Sequence, residues 1–583
     1  MITSAFDIDP ILMLAVFGLP LALALGLSIR NLQPGIVRLV PWSAIPALAA
    51  LAWVAPDKMV SIPWLLLEVH LSLDPTGRIF LFFTSMLWLL AGIYAQSYLA
   101  ADPGRVKFFF FFLLSMSGNF GLIISHDIVS FYVFFALMSF ASYGLVVHKG
   151  DAEALRAGRI YMVLVVIGEV ALFAAFVWQT GSVDSLLLKD FSKVRPNALI
   201  VGLILIGFGI KAGALPFHVW LPLAHPAAPT PASAVLSGTM IKAGLLGWLR
   251  FLPIGQMAMP QWGTFCIVAG LLAAYFAVAV GLTQRNPKTV LAYSSISQMG
   301  LMTVGFGLAL GWPQTVPTVL PAIGIYAIHH AFAKGALFLG VGVAAAVERH
   351  RPAYRIAVGG LILASLALAG APFTSGAAAK IALKLPLKDL QDSWVFGLSL
   401  LLTLAALGTT LLMARFIFVM TLQSSVHDRP RFGMWLSWTF TILLTVAAVW
   451  LLPVAHKAAL KSLQLPSLGQ SLWPVAAGVL ISGSVWLKVV RKKWRPALSI
   501  PQGDLLYVFN SLYRLLLHFV SLRSKRIGSY LSAVVKNLQR QRTGLQAIRM
   551  LLLWLEKRLT NWQTASLIFV ILIACLFAWS LRL

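Results

Sequence analysis

The sequence predicts an all-α polytopic membrane protein, on three observations. Apolar runs of about 18 to 25 residues recur from end to end, each long enough to cross a bilayer core of about 30 Å. Only 11% of the residues are charged against 59% hydrophobic, far below the roughly 25% charged residues of soluble domains. The basic residues gather in short loops that one orientation places almost entirely on one side.

About sixteen spans follow from the runs. They lie near 11–29, 37–55, 79–99, 108–125, 127–147, 160–179, 198–215, 229–252, 261–283, 289–310, 318–347, 357–385, 394–420, 433–453, 472–490 and 563–582. With the N-terminus outside, Arg30 and Arg38, Arg105 and Lys107, and Lys149, Arg156 and Arg159 fall inside. So do Arg285 and Lys288, Arg349, Arg351 and Arg355, Arg429 and Arg431, and Lys488, Arg491, Lys492, Lys493 and Arg495. Lys189, Lys193 and Arg195, in an outside loop, are the main exceptions. This bias accounts for the net charge of +27 without invoking nucleic acid. Met1–Pro10 is acidic and lacks the basic stretch of a signal peptide, so the first run is expected to stay as a helix. Cys266 and Cys575 lie apart in apolar segments, which excludes an iron–sulfur cluster, a c-type haem or a disulfide framework built by this chain alone.

Between the last two spans, Leu505 to Leu559 sets Leu, Ile, Val and Phe at helical spacing against Arg514, Arg523, Lys525, Arg526, Lys536, Arg540, Arg542 and Arg549. Such a helix reaches about 80 Å at about 1.5 Å per residue. It is expected either to rest on anionic lipid or to lie along neighbouring subunits, anchored by the final span. Gly528 and Gly544 are the places for a bend.

Ionisable residues inside spans are costly and mark function. Asp127 opens the fifth span, Glu169 lies in the sixth, Lys211 in the seventh and Lys242 in the eighth. His329, His330 and Lys334 lie in the eleventh and Lys380 in the twelfth. Pro216 follows Lys211, and Gly370-Ala371-Pro372 precedes Lys380, so both lysines stand beside helix breakers, the pattern of ion sites in transporters. Lys288 and Lys488 sit near helix ends, where a lysine reaches back to the headgroups. His329 and His330 point to two faces of one helix, so at most one is expected to face a pathway.

From Lys211 to Ala234 the chain reads KAGALPFHVWLPLAHPAAPTPASA and includes His218 and His225. Asp127-Ile-Val-Ser-Phe-Tyr-Val-Phe-Phe lies upstream, and PKTVLAYSSISQMG from Pro287 and HAFAKGALFL from His330 lie downstream. These motifs, in this order and covering roughly 70 to 420, resemble the antiporter-like subunits of respiratory complex I, membrane-bound hydrogenases and Mrp-type antiporters. The turn Ser237-Gly-Thr-Met-Ile-Lys242-Ala-Gly is closest to the hydrogenase-type members. The resemblance implies two inverted five-helix repeats, 108–252 and 261–420. Residues 1–107 would precede them, with 433–490 as additional membrane helices, 505–559 as a lateral helix and 563–582 as a C-terminal anchor. It implies that Lys211 and Lys380 hold equivalent broken-helix positions. Lys211, Lys242, Lys334 and Lys380, with His218 and His330, would form a hydrated polar axis at mid-membrane, supported by Asp127 and His225.

One departure matters. The family usually carries a glutamate in the fifth helix that pairs with the seventh-helix lysine, in a Phe-Trp-Glu-Leu-Met context. Here the chain reads Phe134-Phe135-Ala136-Leu137-Met138. Glu169 is the expected replacement, since a charge pair at about 4 Å and a dielectric near 20 is worth about 4 kcal/mol.

The resulting expectation is a multi-pass inner-membrane subunit that moves H+, with Na+ as the alternative, along Glu169, Lys211, His218, Lys242, His330, Lys334 and Lys380. No cofactor or metal motif is present, so the driving reaction is expected from partner membrane subunits with a redox arm or soluble enzyme. The alternatives are a subunit of a sodium/proton antiporter, a self-sufficient exchanger, and the membrane partner of a soluble enzyme in inorganic-carbon uptake.

Overall fold

The computed structural model of the protein describes residues 8–183, 185–390, 393–422, 430–492, 500–506 and 511. The chain forms two units, Met1–Leu27 with Leu32–Gln502 and Ser28–Asn31 with Gly503–Leu583. Of the second, only residues 28–31, 503–506 and 511 are described. The expected anchor at 563–582, and the basic helix at 505–559 apart from residues 505, 506 and 511, lie outside the described residues.

In the first unit α1 (Asp9–Gly26), α2 (Gln33–Leu39) and α3 (Ile45–Trp53) precede a hairpin of β1 (Val60–Ile62) and β2 (Val69–Leu71). There follow α4 (Pro75–Tyr98), α5 (Arg105–Ile124), α6 (Ile128–Val146), α7 (Ala152–Thr180) and α8 (Leu188–Phe191). Next come α9 (Ala198–Ala212), α10 (Leu221–Ala227), α11 (Thr230–Val235) and α12 (Lys242–Phe251). The chain continues through α13 (Pro260–Thr283), α14 (Pro287–Gly311), α15 (Val316–Ala345), α16 (Pro352–Ala369) and α17 (Ser375–Lys384). It goes on with α18 (Trp394–Leu422), α19 (Phe432–Leu451), α20 (His456–Ser462) and α21 (Leu465–Lys492). Several helices start where a short acceptor side chain precedes them. Asp74, Asp127, Asp151, Asn197 and Asn286 each accept from a backbone N–H of the first turn.

Among the described residues thirteen helical segments are long and apolar enough to cross a membrane. They become fourteen when α2 and α3, with the 3-10 turns beside them and a 61° bend, count as one. Two expected spans account for the difference from about sixteen. The last lies outside the described residues, and 289–310 forms as α14, whose Ser294, Ser295, Ser297, Gln298 and Thr303 make it too polar for an apolar span. Every residue of α14 but Lys288 is buried. Protein, not lipid, surrounds this helix, so polar side chains on it can be matched by partners.

α13 lies on α14 with backbones in contact. A Cβ on Gly263 would stand 2.6 Å from the Gly307 carbonyl, and one on Gly270 2.5 Å from that of Gly300. Close approach through glycine substitutes for a hydrophobic driving force that lipid does not supply.

The hairpin is the one departure from an all-α fold among the described residues, and it has a local cause. Backbone between helices loses its helical partners and must find others. At one end of the bundle Ser72 N–H donates to Ile124 O, His126 N–H to His70 O, Leu188 N–H to His126 O and Ile128 N–H to Leu186 O. These bonds tie the hairpin, the α5–α6 turn and the α7–α9 connection together.

Candidate functional site

An ammonium or imidazolium inside an apolar bundle costs about several kcal/mol unless protein groups replace its water. Lys211, Lys242, Lys334, His218, His225, His329 and His330 are each 2% exposed or less. What these side chains meet shows how the cost is met.

Lys211 occupies the last turn of α9, which stops at Gly213 with φ +71, a left-handed conformation that favours glycine. A Cβ there would also stand 2.2 Å from Leu221 Cδ1. Beyond it run a cis Leu215–Pro216 bond, a 3-10 turn carrying His218, and α10. The indole N–H of Trp220 donates to the Ile210 carbonyl at 2.8 Å and so caps the broken end. Lys211 Nζ donates to the Tyr161 hydroxyl at 3.1 Å and lies 5.5 Å from that ring's centroid. Tyr161 in turn donates to the Ser139 carbonyl at 2.7 Å.

Glu169 lines the same cavity as Lys211, with Ser139, Tyr161 and Trp220. The cavity leaves about 10 Å³ for a water centre, roughly the need of a single water. What brings the acid there is a glycine crossing. A Cβ on Gly168 would stand 3.2 Å from the Gly207 carbonyl, and one on Gly207 2.9 Å from that of Gly168. The expected direct Glu169–Lys211 pair is not formed. Neither carboxylate oxygen of Glu169 has a hydrogen-bond partner among the described residues, and Lys211 turns to the nearer hydroxyl.

At the centre of the bundle, α11 widens into a π-helical turn, Leu236–Met240. Such a turn frees carbonyls from the α-ladder. Lys242 Nζ donates to two of them, Ser237 O at 2.9 Å and Gly238 O at 2.6 Å. The Ser237 hydroxyl meets Ser295 Oγ of α14 at 2.7 Å. Lys334 Nζ also bonds to α14, donating to Leu291 O at 2.8 Å and to the Ser294 hydroxyl. His330 lies one turn before Lys334, within electrostatic reach of Lys242, Lys334 and His329. Neither of its ring nitrogens has a hydrogen-bond partner among the described residues. His225 stacks on Phe338 at 4.6 Å between centroids, within electrostatic reach of Lys334 and Lys288. Lys288, expected to reach back to the headgroups, donates to Ala228 O at 2.8 Å.

The second break lies between α16 and α17. Gly370 has φ +88, and a Cβ there would stand 2.8 Å from Lys380 Cδ. Lys380, half-buried, donates across this glycine to the Ala369 carbonyl, the C-terminal and negative end of α16. Lys211 therefore precedes its break whereas Lys380 follows its own. The two do not hold matching chain positions as expected, because Lys380 caps the helix that its break ended. His329 Nδ1 and Ser375 Oγ are 2.8 Å apart, and the ring lies within electrostatic reach of Lys380 and Lys242. Of the two adjacent histidines, His329 thus meets a hydroxyl, while His330 lies within electrostatic reach of the lysines.

Four helices bring the centre and the second break together: α12, α14, α15 and α17 carry Lys242, Ser294, the His329/His330/Lys334 group and Lys380. His218 is buried, with its ring edge-on to Phe276 at 5.5 Å between centroids. Asp127 belongs elsewhere. It caps α6 through Ser130 N–H at 2.7 Å and accepts from His70 N–H at 2.8 Å, so it holds the hairpin. Beside it Asp74 caps α4 and accepts from Arg250 Nη2 at 3.0 Å, with His126 Nε2 3.8 Å away. Burial pushes the Asp74 carboxyl up, but Arg250 and His126 outweigh it and hold it below the usual range. Burial and Arg250 together lower His126 to about 4.

Sequence reading named His329 but left it out of the pathway, and it missed Tyr161 and the polar branch in which Tyr326 donates to Gln298 Oε1 at 2.7 Å and Gln298 to Thr409 Oγ1 at 3.1 Å. The run Ser294-Ser295-Ile296-Ser297-Gln298 was its one visible signal, since polar residues in a buried helix require partners.

Residues 125–408 match the family described as NADH:quinone oxidoreductase/Mrp antiporter, TM. Hydrogenase-4 component B of Escherichia coli is 28% identical over 297 residues, 48% of this chain and 44% of that protein. "Putative antiporter subunit mnhA2" of Staphylococcus saprophyticus is 30% identical over 354 residues, 54% of this chain and 43% of that protein. The chain spans about half the length of the curated relatives it matches. In fold it is similar to a chain of the Mrp complex from Dietzia sp., with TM-score 0.70, 24% identity, and 88% of this chain and 60% of that one covered. It is also similar to a chain of the membrane-bound sulfane sulfur reductase, an archaeal respiratory membrane complex, with TM-score 0.63, 20% identity, and 79% and 100% covered. Its helices, its motifs and these likenesses agree: the chain is a multi-pass inner-membrane protein whose residues 125–408, just under half of it, match the antiporter-like transmembrane family shared by NADH:quinone oxidoreductases and Mrp antiporters.

Proposed function

We propose that the chain is a proton-translocating subunit of a multi-subunit membrane complex driven by a redox reaction or by ion exchange. A proton taken up at Lys211 is exchanged through Lys242, His330 and Lys334 and handed by way of His329 to Lys380. The observation that carries this reading is the series of buried lysines, each bonded to a carbonyl or hydroxyl instead of a carboxylate. A buried ammonium with no hydrogen-bonded carboxylate gives up its proton readily, as a relay requires, and Glu169, within electrostatic reach of Lys211, biases the first step. His330, whose ring nitrogens have no hydrogen-bond partner among the described residues, lies within electrostatic reach of Lys242 and Lys334 and can pass a proton from one to the other.

In this reading the chain has about sixteen spans, with inverted repeats at 108–252 and 261–420. The sodium/proton antiporter alternative draws support from the antiporter subunits among the relatives.

The test is transport by the complex purified in mild detergent and reconstituted into liposomes. Lys211→Ala is expected to abolish coupled proton movement while the complex still assembles. Wild-type transport by that variant would refute the scheme.

A further inference from the structure

Beyond Lys380 the chain carries further lysines at intervals of four residues. Lys380 and Lys384 stack on one face of α17 with a rise of about 6 Å, and Lys388 stands in the 3-10 turn that follows. Lys384 is half-buried, and its Nζ donates to the Thr403 hydroxyl of α18, which itself donates to Ser399 O at 2.8 Å. Lys380 and Lys384 lie within electrostatic reach of each other. Lys388, in the 3-10 turn that ends α17, is exposed and meets Lys461 of α20, which packs on α17.

Among the described residues, Asp389 is the single carboxylate on α16 to α18, α20 and the turns that join them. It accepts from the Thr318 hydroxyl at 2.9 Å. His456 and Lys457 are the other titratable groups of α20. Like charges held together without a carboxylate destabilise a fold, so a purely structural role does not explain the row.

We propose that Lys384 is a proton relay between Lys380 and the surface, and that the Lys388–Lys461 pair forms the mouth of this exit. The exit carries H+ and not Na+. A sodium ion needs several oxygen ligands without competing cations, and here Ala369 O and Thr403 Oγ each accept from a lysine Nζ. A proton needs only a titratable nitrogen at each step. At each handover one N–H bond breaks as the next forms, and the amine left behind takes the next proton from the inner side. Burial and the neighbouring Lys388 hold Lys461 below its ordinary range, which favours release at the mouth.

This inference rests on the proton-pathway reading, and the experiment separates the two. The reconstituted complex is assayed with an internal pH dye and with radioactive sodium for the wild type, Lys211→Ala, Lys384→Met, Lys384→Arg and Lys384→His. Met and Arg are expected to slow proton movement on the order of a hundredfold, since neither releases a proton. His is expected to restore much of it, with an optimum moved to lower pH. A fixed structural charge would instead be rescued by Arg. If Lys211→Ala abolishes transport while Lys384→Met leaves it unchanged, the exit is refuted and the pathway stands. If neither variant changes transport, both are refuted. Sodium flux that falls in Lys384→Met in step with proton flux would overturn the exclusion of Na+.

Discussion

Tyr161 stands between Lys211 and the helix that lacks the expected acid. Lys211 Nζ donates to its hydroxyl at 3.1 Å, and that hydroxyl donates to Ser139 O at 2.7 Å. Ser139 lies three residues after Ala136, on the same face of α6. A neutral hydroxyl therefore makes the direct contact with Lys211, and Glu169 shares the cavity within electrostatic reach of that lysine.

Tyr161→Phe removes this contact, the one hydrogen bond of Lys211 among the described residues. A hydrogen bond to a charged group contributes about 1.5–3 kcal/mol, so proton movement is expected to fall on the order of tenfold or more. Liposome transport across a pH series measures it. An unchanged rate and pH profile would mean that Glu169 or water already serves Lys211.

The Gly168–Gly207 crossing sets the spacing of Glu169 and Lys211. In Gly207→Ala the new Cβ would stand 2.5 Å from Leu172 Cγ and 2.9 Å from Gly168 O. The helices must separate, at a cost of about 1–3 kcal/mol. A lower melting temperature together with slower transport is expected. Gly359→Ala is the control, because nothing lies within 4 Å of its Cβ, and it should melt no lower than the wild type.

Lys242 holds the carbonyls of Ser237 and Gly238, which the π-helical turn has freed. Lys242→Met leaves both buried and unpaired, a penalty of about 1–3 kcal/mol for each. The variant should lose transport and also melt earlier. Thermal unfolding of the complex followed by tryptophan fluorescence would decide it, and a wild-type melt would contradict the bonding described.

The hairpin end of the bundle should be acid-sensitive. His126 is lowered to about 4 in the folded protein, against about 6.5 when unfolded. The unfolded chain therefore binds more protons across that window, and stability falls as pH drops from 6.5 towards 4. Asp74 is also held low, so its contribution is present above its unfolded pKa and disappears only in stronger acid. Melting temperature measured between pH 7 and pH 4 should decline less in His126→Gln. Equal declines would show that another group senses the pH.

The polarity of α14 and the pairing of Lys211 mark where sequence reasoning reached its limit. Residues 289–310 were legible as a helix, but not that the helix is enclosed on all sides, because burial depends on neighbours distant in the chain. Glu169 was legible as the nearest acid to Lys211, but not Tyr161, whose ring sits fifty positions away in a run of ordinary apolar residues. The breaks beside Lys211 and Lys380 were legible from Pro216 and Gly370, whereas the side of each break on which its lysine acts was not.

By itself the sequence determined the membrane class, the spans and the residues rich in proton chemistry. Span length and the price of a charge in lipid act locally and leave their mark in composition and order. Tertiary structure alone decided which of those residues touch. It turned Asp127 into a helix cap, gave His329 a place beside Ser375 and Lys380, and put a hydroxyl instead of a carboxylate on Lys211. Contacts of 3 Å between helices depend on crossing geometry, which glycines such as Gly168 and Gly207 set, and that geometry becomes visible only when both helices are in place.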